Sequence, residues 1–217
     1  MFWDKISPLY DLFETVYNKR VYKETGRKVA EFIGSSDTVL ECACGTGAIS
    51  VEIAKKCKRL IATDYSAGML REVKRKCAHF PNVTVRRADI TSLNCRDERF
   101  DKVVAGNVIH LLPDPAQALN ELMRVTKKGG KVIIPTYINY SKKSAGYVVK
   151  ILKKLGADFK RQFDIDSYRK FFDDCGVKDV EYIVVDGRMP CAIAVITVKQ
   201  YRMGNLHLER SKYEKRR

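Results

Sequence analysis

The chain has 217 residues, of which 45% are hydrophobic and 31% are charged. This length allows one sizeable hydrophobic core, so we expect a single domain rather than two. The 41 Lys and Arg residues exceed the 26 Asp and Glu residues and give a net charge of +15, which favours anionic partners and does not bear on the fold.

The sequence shows neither a candidate membrane-spanning segment nor a signal peptide. No apolar run reaches the roughly 18–20 residues needed to cross a bilayer, and the first residues, MFWDKISPLY, lack the apolar core of a signal peptide. The seven cysteines are odd in number and scattered, which is typical of reduced thiols. We therefore expect a cytoplasmic protein without disulfides.

Helical and β periodicities alternate along the first half of the chain, which indicates an α/β domain. A helical segment at about 8–33 is followed by a strand at 38–43, a glycine turn and a helix at about 47–57. The strand RLIATD ends at Asp64, and Ser66 is well placed to cap the helix after it. The strands NVTVRRAD and FDKVVAG follow.

The second half continues the alternation. Asp114 as cap and Pro115 as first residue predict a helix over ALNELMRV, closed by the glycine pair at 129–130. The strand KVIIPTY comes next. The remaining elements are two helices and two β-rich runs, in the order 144–155, 167–175, VEYIVVD and CAIAVITVK.

These elements predict a Rossmann-like α/β fold. The expected sheet is doubly wound, mostly parallel and seven-stranded, and the last two runs form a C-terminal antiparallel hairpin because only 187–190 separates them. The domain is predicted to span 1–198, with 1–35 as an N-terminal helical cap segment. Residues 199–217 form a basic C-terminal tail that lacks apolar periodicity.

The glycine turn VLECACGTGAIS is typical of a nucleotide-type ligand site. Gly45 and Gly47 let backbone amides approach a ligand, and the helix that follows aims its positive end at an anionic group. A nicotinamide fingerprint would have a third glycine where this chain has Ser50, and the lysine of a phosphate-binding P-loop is absent. The ligand must therefore be decided by the residues around the turn.

Acidic residues stand at the ends of three consecutive predicted strands: Glu41, Asp64 and Asp89. A carboxylate at Glu41 would repel a pyrophosphate, but it suits a ligand with an ammonium group, such as S-adenosylmethionine. Asp64 is placed to accept from ribose hydroxyls, and Asp89 to take the adenine amino group. A salt bridge, a helix cap or an ordinary turn would explain each acid alone, whereas their joint order favours the cofactor.

At this point the chain resembles the class I S-adenosylmethionine-dependent methyltransferases, and within them the ubiquinone/menaquinone C-methyltransferase-like group of small-molecule enzymes. The likeness covers about residues 3–198 and is carried by VLECACGTGAIS, ATDYSAGML, ADITSL, FDKVVAGNVIHLLPDP and ELMRVTKKGGKVIIPTY. It implies methyl transfer from S-adenosylmethionine, with S-adenosylhomocysteine as product, and it leaves the acceptor open.

The resemblance also implies roles for individual residues. The cofactor-binding set is Cys44 in the glycine turn, Glu41, Gly45, Thr46 and Gly47 at the methionine part, Asp64 at the ribose, Tyr65 and Met69 flanking the adenine, Asp89 and Ile90 at its edge, and Asn107 beneath the sulfonium. Tyr10, a candidate catalytic residue, matches an N-terminal tyrosine that often closes over the cofactor.

Two departures from the family pattern lie in the glycine turn. Glu41 stands where an aspartate is usual, and Cys42 stands where an apolar residue or glycine is more common. Cys42 and Cys44 are predicted to share a strand face, a spacing that suits a soft metal ion. However, Cys44 matches a cysteine common in this motif in enzymes without metals, so no metal site is predicted.

Candidates for the acceptor side come from the segments that can cover the cavity. His110, in NVIHLLPDP, is the candidate general base for an acceptor that starts protonated, and a packing role is the alternative. Aromatic rings bind flat or cationic groups well. The candidate pocket-lining tyrosines are Tyr17, Tyr22, Tyr137 and Tyr140.

Three functional hypotheses remain open at the level of sequence. The favoured one is a methyltransferase for a small-molecule or lipid-type acceptor, with peripheral contact to an anionic membrane through lysine clusters. An RNA methyltransferase using the basic surface is the second, and nucleic acid is less favoured because no RNA module is recognised. The third is a non-catalytic cofactor-binding interaction module, against which the three acids argue. Oligomeric state is not indicated.

Overall fold

The computed structural model describes residues 18–139 and 160–199. The strands are β1 (Thr38–Cys42), β2 (Arg59–Asp64), β3 (Val83–Arg87), β4 (Phe100–Ala105), β5 (Thr126–Tyr137), β6 (Val180–Val185) and β7 (Cys191–Thr197). The helices are α1 (Lys19–Ala30), α2 (Ala48–Ala54), α3 (Ala67–Lys76), α4 (Pro115–Val125) and α5 (Ile165–Asp174), and a 3₁₀ turn spans Ile109–Leu111.

The seven strands form one sheet in the order β3-β2-β1-β4-β5-β7-β6. The first five strands pair in parallel, and β7 runs antiparallel to both β5 and β6. This confirms the predicted doubly wound sheet and its C-terminal hairpin. The strand order reverses between β1 and β4, and ligands of such folds bind outside the carboxyl ends of the strands at this switch point.

A hydrophobic core lies on each face of the sheet because side chains alternate along a strand. Val39 of β1 packs with Ile53 and the other buried residues of one face, whereas its neighbour Leu40 packs with Phe100 on the other. Val39 and Leu40 are at most 1% exposed, as expected for a central strand covered by helices on both sides.

The connection from α4 to β5 differs from the sequence prediction. The helix ends at Val125 and the strand begins at Thr126, so the glycine pair lies inside β5 and does not close the helix. The register of β4 against β5 is irregular at this point. Gly129 has φ +76°, and a Cβ on Gly130 would lie 2.7 Å from a backbone oxygen of the neighbouring strand. The glycines therefore allow a local bend within a paired strand.

The predicted starts of α3 and α4 are correct, whereas α5 begins at Ile165, two residues before its predicted start, because Asp164 caps it. Ser66 Oγ accepts from Met69 N at 3.2 Å and caps α3. Asp114 Oδ1 accepts from Gln117 N at 2.9 Å at the start of α4. The helix predicted at 144–155 lies outside the described residues, and the domain bounds 1–198, the cap segment 1–35 and the tail 199–217 stay predictions. Within 18–139 and 160–199, no helix is both long and apolar enough to span a membrane.

Candidate active site

A cavity of about 420 Å³ lies at the carboxyl ends of the parallel strands, at the switch point. Twelve of the residues singled out from the sequence line it: Tyr22, Glu41, Cys44, Gly45, Thr46, Asp64, Tyr65, Met69, Asp89, Ile90, Asn107 and Tyr137. The structure thus brings the predicted cofactor residues together around one space, except Gly47, which is not among the lining residues. Tyr10, Tyr17 and Tyr140 lie outside the described residues.

The glycine turn owes its shape to two left-handed glycines. Gly45 has φ +55° and Gly47 has φ +88°. A Cβ on Gly47 would lie 2.6 Å from Val73 Cγ2, so the turn packs tightly against α3, whereas a Cβ on Gly45 would meet no heavy atom within 4 Å. Gly47 is therefore needed for packing, and Gly45 keeps space open beside the cavity.

Helix α1 covers the turn from the other side. The Tyr22 hydroxyl and Thr46 Oγ1 are 3.4 Å apart, and Lys76 Nζ at the end of α3 donates to the same Thr46 oxygen at 3.3 Å. Thr46 is 2% exposed as a result. The described part of the predicted cap segment thus forms a wall of the cavity.

Glu41 is a buried carboxyl at the base of the cavity, and it is 1% exposed. Its Oε2 accepts a hydrogen bond from Ser50 Oγ at 2.5 Å. Burial raises the pKa of Glu41 to about 8; the Ser50 hydrogen bond offsets part of this effect, and the charge of Asp64 adds to it. A cationic ligand group at this position would favour the ionised carboxylate.

Asp64 is held by backbone amides. Gly45 N donates to Asp64 Oδ2 at 2.9 Å and Ser66 N donates to Oδ1 at 2.8 Å. A carboxylate has about four acceptor positions, so both oxygens keep capacity for ribose hydroxyls. This carboxylate therefore joins the glycine turn to the start of α3 and still faces the cavity.

The third acid and its neighbours form the outer part of the cavity. Asp89 Oδ1 accepts from the backbone and the hydroxyl of Thr91, at 2.9 and 2.7 Å. Tyr65 is 48% exposed, and the Arg87 guanidinium lies 4.8 Å from the centre of its ring. Because β1, β2 and β3 are neighbours in the sheet, the three acids follow one another across the cavity.

Asn107 connects the ends of β4 and β5. Its backbone N donates to Pro135 O at 2.8 Å, and its Oδ1 accepts from Tyr137 N at 3.0 Å. Asn107 has φ +51°, and Ala43, at the end of β1, has the same φ. Non-glycine residues with positive φ occur where the surrounding structure requires them, and both of these line the cavity.

His110 lies in the 3₁₀ turn and is not among the residues that line the cavity, although its neighbours Val108 and Leu111 are. Burial lowers the pKa of His110 to about 4, which keeps the imidazole neutral at neutral pH. Its carbonyl accepts from Arg161 N at 3.1 Å. The structure therefore places this candidate base behind the cavity wall, and its catalytic role stays a prediction.

The predicted common face of Cys42 and Cys44 is wrong. Cys42 packs in the core with Leu40 on one side of the sheet, whereas Cys44 packs with Val39 on the other. The positive φ of Ala43 reverses the alternation between them. Among the residues that the structure describes, no group of three or more His, Cys, Asp or Glu side chains could hold a metal ion.

Several lining residues were not identified from the sequence as site residues. They are the apolar side chains of Ile49, Val108, Leu111, Leu112 and Pro113, together with Thr25. The segment NVIHLLPDP carries a signal for this apolar surface, since four apolar residues follow a strand end there. No sequence signal predicts the hydrogen bond from Ser50 to Glu41.

Comparison with known proteins shows which proteins this chain resembles. A family model described as a methyltransferase domain matches residues 40–134, from the glycine turn into β5. The demethylmenaquinone methyltransferase of Renibacterium salmoninarum is 27% identical over 206 residues, which cover 85% of this chain and 86% of that protein. Over these residues the chain is similar to the class I S-adenosylmethionine-dependent methyltransferases.

Within these methyltransferases, the chain is similar to the ubiquinone/menaquinone group, as the sequence motifs predicted. The ubiquinone/menaquinone biosynthesis C-methyltransferase of Bdellovibrio bacteriovorus is 31% identical over 137 residues, covering 61% of this chain and 58% of that protein. In that alignment the chain spans little more than half the length of its relative. A solved S-adenosylmethionine-dependent methyltransferase of Thermotoga maritima has a TM-score of 0.70 at 19% identity, covering 91% of this chain and 99% of that one, which shows the shared fold.

Proposed function

We propose that this methyltransferase transfers a methyl group from S-adenosylmethionine to an apolar small-molecule acceptor of the quinol type. The observation that carries the proposal is the division of the cavity wall. Its acids stand at the ends of β1 and β2 and just beyond β3, whereas the lining side chains after β4 and at the end of β5 are apolar or aromatic, apart from Asn107. One part suits a nucleoside with an amine, and the other suits an uncharged ring.

The residues present fit the cofactor. Gly45 leaves open space at the turn, Asp64 keeps acceptor capacity for ribose hydroxyls, and Glu41 would meet the ammonium group. When bound, S-adenosylmethionine supplies a methyl group already activated by its sulfonium. Tyr65 and Met69 would flank the adenine, with Asp89 and Ile90 at its edge. Asn107 would hold the strand ends that face the sulfonium.

The acceptor side of the cavity orients a substrate and excludes water. Val108, Leu111 and Leu112 offer apolar surface, and Tyr22 and Tyr137 offer aromatic rings. Among the described residues that line the cavity there is no Lys, Arg or His, so an acceptor rich in phosphate gains no cationic partner from them. A quinol hydroxyl starts protonated, so its proton must pass to solvent or to a protein base as the methyl group is transferred. Proximity and alignment then supply much of the rate enhancement.

The names of the relatives agree with this acceptor class. The Renibacterium protein is named a demethylmenaquinone methyltransferase, and the Bdellovibrio protein a ubiquinone/menaquinone biosynthesis C-methyltransferase. We extend the quinone-type acceptor to this chain, whose fold and cavity are compatible with it. Contact with an anionic membrane, where such an acceptor would dissolve, is part of the same proposal and rests on the positive net charge.

The test begins with isothermal calorimetry of S-adenosylmethionine and S-adenosylhomocysteine, using the wild type, Asp64→Asn and Glu41→Gln. We expect both variants to bind more weakly. Transfer of a labelled methyl group is then measured to a short-chain demethylated quinol, to a phospholipid amine and to RNA, with Asp64→Asn as the inactive control. Labelling of the quinol is expected. Labelling of RNA with a steep salt dependence would instead favour the RNA hypothesis, and binding without any transfer would favour the interaction module.

A further inference from the structure

Ser50 of α2 is a fully buried residue that contacts the base of the cavity. It is 0% exposed, and its hydroxyl donates to Glu41 Oε2 at 2.5 Å. Glu41 pairs in the sheet with Ala62 of β2 and Val104 of β4, which are both fully buried and apolar. The side chains of Ala62 and Val104 cannot form a hydrogen bond with Glu41, and Ser50 of helix α2 does.

The charges around Glu41 make this partner important. Asp64, at the end of β2, opposes ionisation of Glu41, and burial opposes it further, whereas the Ser50 hydroxyl favours it. From α1, the lining residues Tyr22 and Thr25 are uncharged. The nearby thiols are Cys42, Cys44, Cys57 and Cys77, and burial raises the pKa of each of them, to about 11 or higher where a value is resolved, so they stay neutral over the physiological range.

We propose that Ser50 is a positioning residue that prepares the Glu41 carboxylate for the ammonium group of the cofactor, so that cofactor binding releases the proton of Glu41 to solvent. This rests on the proposed function, because it assumes that the ammonium group occupies the base of the cavity. The carboxyl loses its proton, the ammonium replaces it as the positive partner, and no other bond changes. A glycine at position 50, as in a nicotinamide fingerprint, could not donate this hydrogen bond.

The coupling has a definite direction with pH. The free carboxyl has a pKa of about 8, so it is mostly protonated at pH 7 and mostly ionised at pH 9. Binding of a cation at pH 7 must therefore release a proton, and the contribution of Glu41 to affinity rises with pH until it levels off near that value. Loss of the Ser50 hydroxyl removes a group that favours ionisation, so the levelling point moves to higher pH.

The experiment is calorimetry of S-adenosylmethionine and S-adenosylhomocysteine binding between pH 6 and 9, in buffers with different ionisation enthalpies, which counts the protons released. The variants are Ser50→Ala, Ser50→Thr and Glu41→Gln. The matched control is Thr126→Val, which removes a buried hydroxyl that donates to Leu122 O at 2.7 Å, outside the cavity. In Glu41→Gln any protons released come from the ligand's own amino group, and this number is subtracted from the number that the wild type releases.

We expect the wild type to release close to one proton at pH 7 and much less at pH 9. Ser50→Ala should bind about tenfold more weakly at pH 7, the usual size for loss of a hydrogen bond to a charged group, and recover at higher pH. Ser50→Thr should restore binding in part, and Thr126→Val should match the wild type.

Two results would overturn the proposal: a loss in Ser50→Ala that is equal at every pH, or a wild type whose proton release equals that of Glu41→Gln. The second comparison does not depend on whether Ser50→Ala folds. If the wild type binds neither compound, the proposed function itself fails, which is a different result from binding without proton release.

Discussion

Replacing each glycine of the turn by alanine should separate folding from ligand binding. Gly47→Ala places a Cβ 2.6 Å from Val73 Cγ2, and Val73 is fully buried. A left-handed backbone at a non-glycine residue lowers the free energy of unfolding by about 1–2 kcal/mol. Overpacking a tight core lowers it by about 1–3 kcal/mol more. We therefore expect the free energy of unfolding to fall by about 2–5 kcal/mol.

Gly45→Ala is the matched variant. Its backbone is also left-handed, at φ +55°, but no heavy atom lies within 4 Å of the added Cβ. We expect a loss of only about 1–2 kcal/mol in stability. Gly45 lines the cavity and its N–H donates to Asp64, so the new methyl group should reduce affinity for S-adenosylmethionine by about tenfold or more.

The assay is urea unfolding followed by circular dichroism for stability, and calorimetry for affinity at a temperature where both variants are folded. Gly47→Ala should show the larger shift in unfolding midpoint, and Gly45→Ala the larger loss of affinity relative to its loss of stability. Equal destabilisation of the two variants would refute the packing assignment of Gly47. Wild-type affinity in Gly45→Ala would refute the claim that this glycine keeps space for the ligand.

Three further variants test the packing around the site. Tyr168→Phe removes a fully buried hydroxyl that donates to Ile134 O at 2.6 Å, so we expect about 1–2 kcal/mol less stability in urea unfolding and unchanged cofactor affinity. Burial lowers the pKa of His110 from about 6.5 to about 4, so the neutral imidazole is compatible with the fold and the protonated one is not. The free energy of unfolding should therefore be highest above pH 6.5 and fall by roughly 3 kcal/mol at most as the pH drops towards 4. His110→Gln should reduce this dependence on acid pH, and an unchanged dependence would contradict the assignment. Asn107→Ala removes the oxygen that accepts from Tyr137 N, so the free energy of unfolding should fall by about 1–3 kcal/mol and the methyl-transfer rate should also fall. Full activity would show that the β4–β5 connection does not position the acceptor side.

The sequence predicted the acids of the site because of where they stand in the chain. A carboxylate at the end of each of three parallel strands must face the same edge of the sheet, whatever the side-chain details, and the cavity contains all three. The glycine turn was likewise predictable, because Gly45 and Gly47 have backbone conformations that few other residues adopt.

The errors came from backbone features without a local signal. Ala43 adopts φ +51° although alanine gives no hint of it, and this single residue sends Cys42 and Cys44 to opposite faces. The glycine pair 129–130 resembles a helix end, but pairing of β5 with both neighbouring strands determines its conformation. The hydrogen bond from Ser50 to Glu41 depends on how closely α2 packs on β1, which spacing in the sequence does not specify.

The net charge of +15 at first argues against a cationic cofactor, and the structure resolves the conflict by distance. Screening weakens the influence of exposed charges beyond about 8 Å at physiological ionic strength, whereas groups that line a partly enclosed cavity act at a few ångströms. Among the described lining residues the ionisable groups are carboxyls, tyrosines and the thiol of Cys44, and the cations Lys76 and Arg87 contact lining residues without lining the cavity themselves. The positive net charge is therefore compatible with the proposed anionic membrane, while the carboxyls of the cavity favour a cation. Burial keeps Glu41 largely protonated before binding, so Glu41 and Asp64 are not both charged in the empty cavity. Glu41 becomes a carboxylate only when a cation binds beside it.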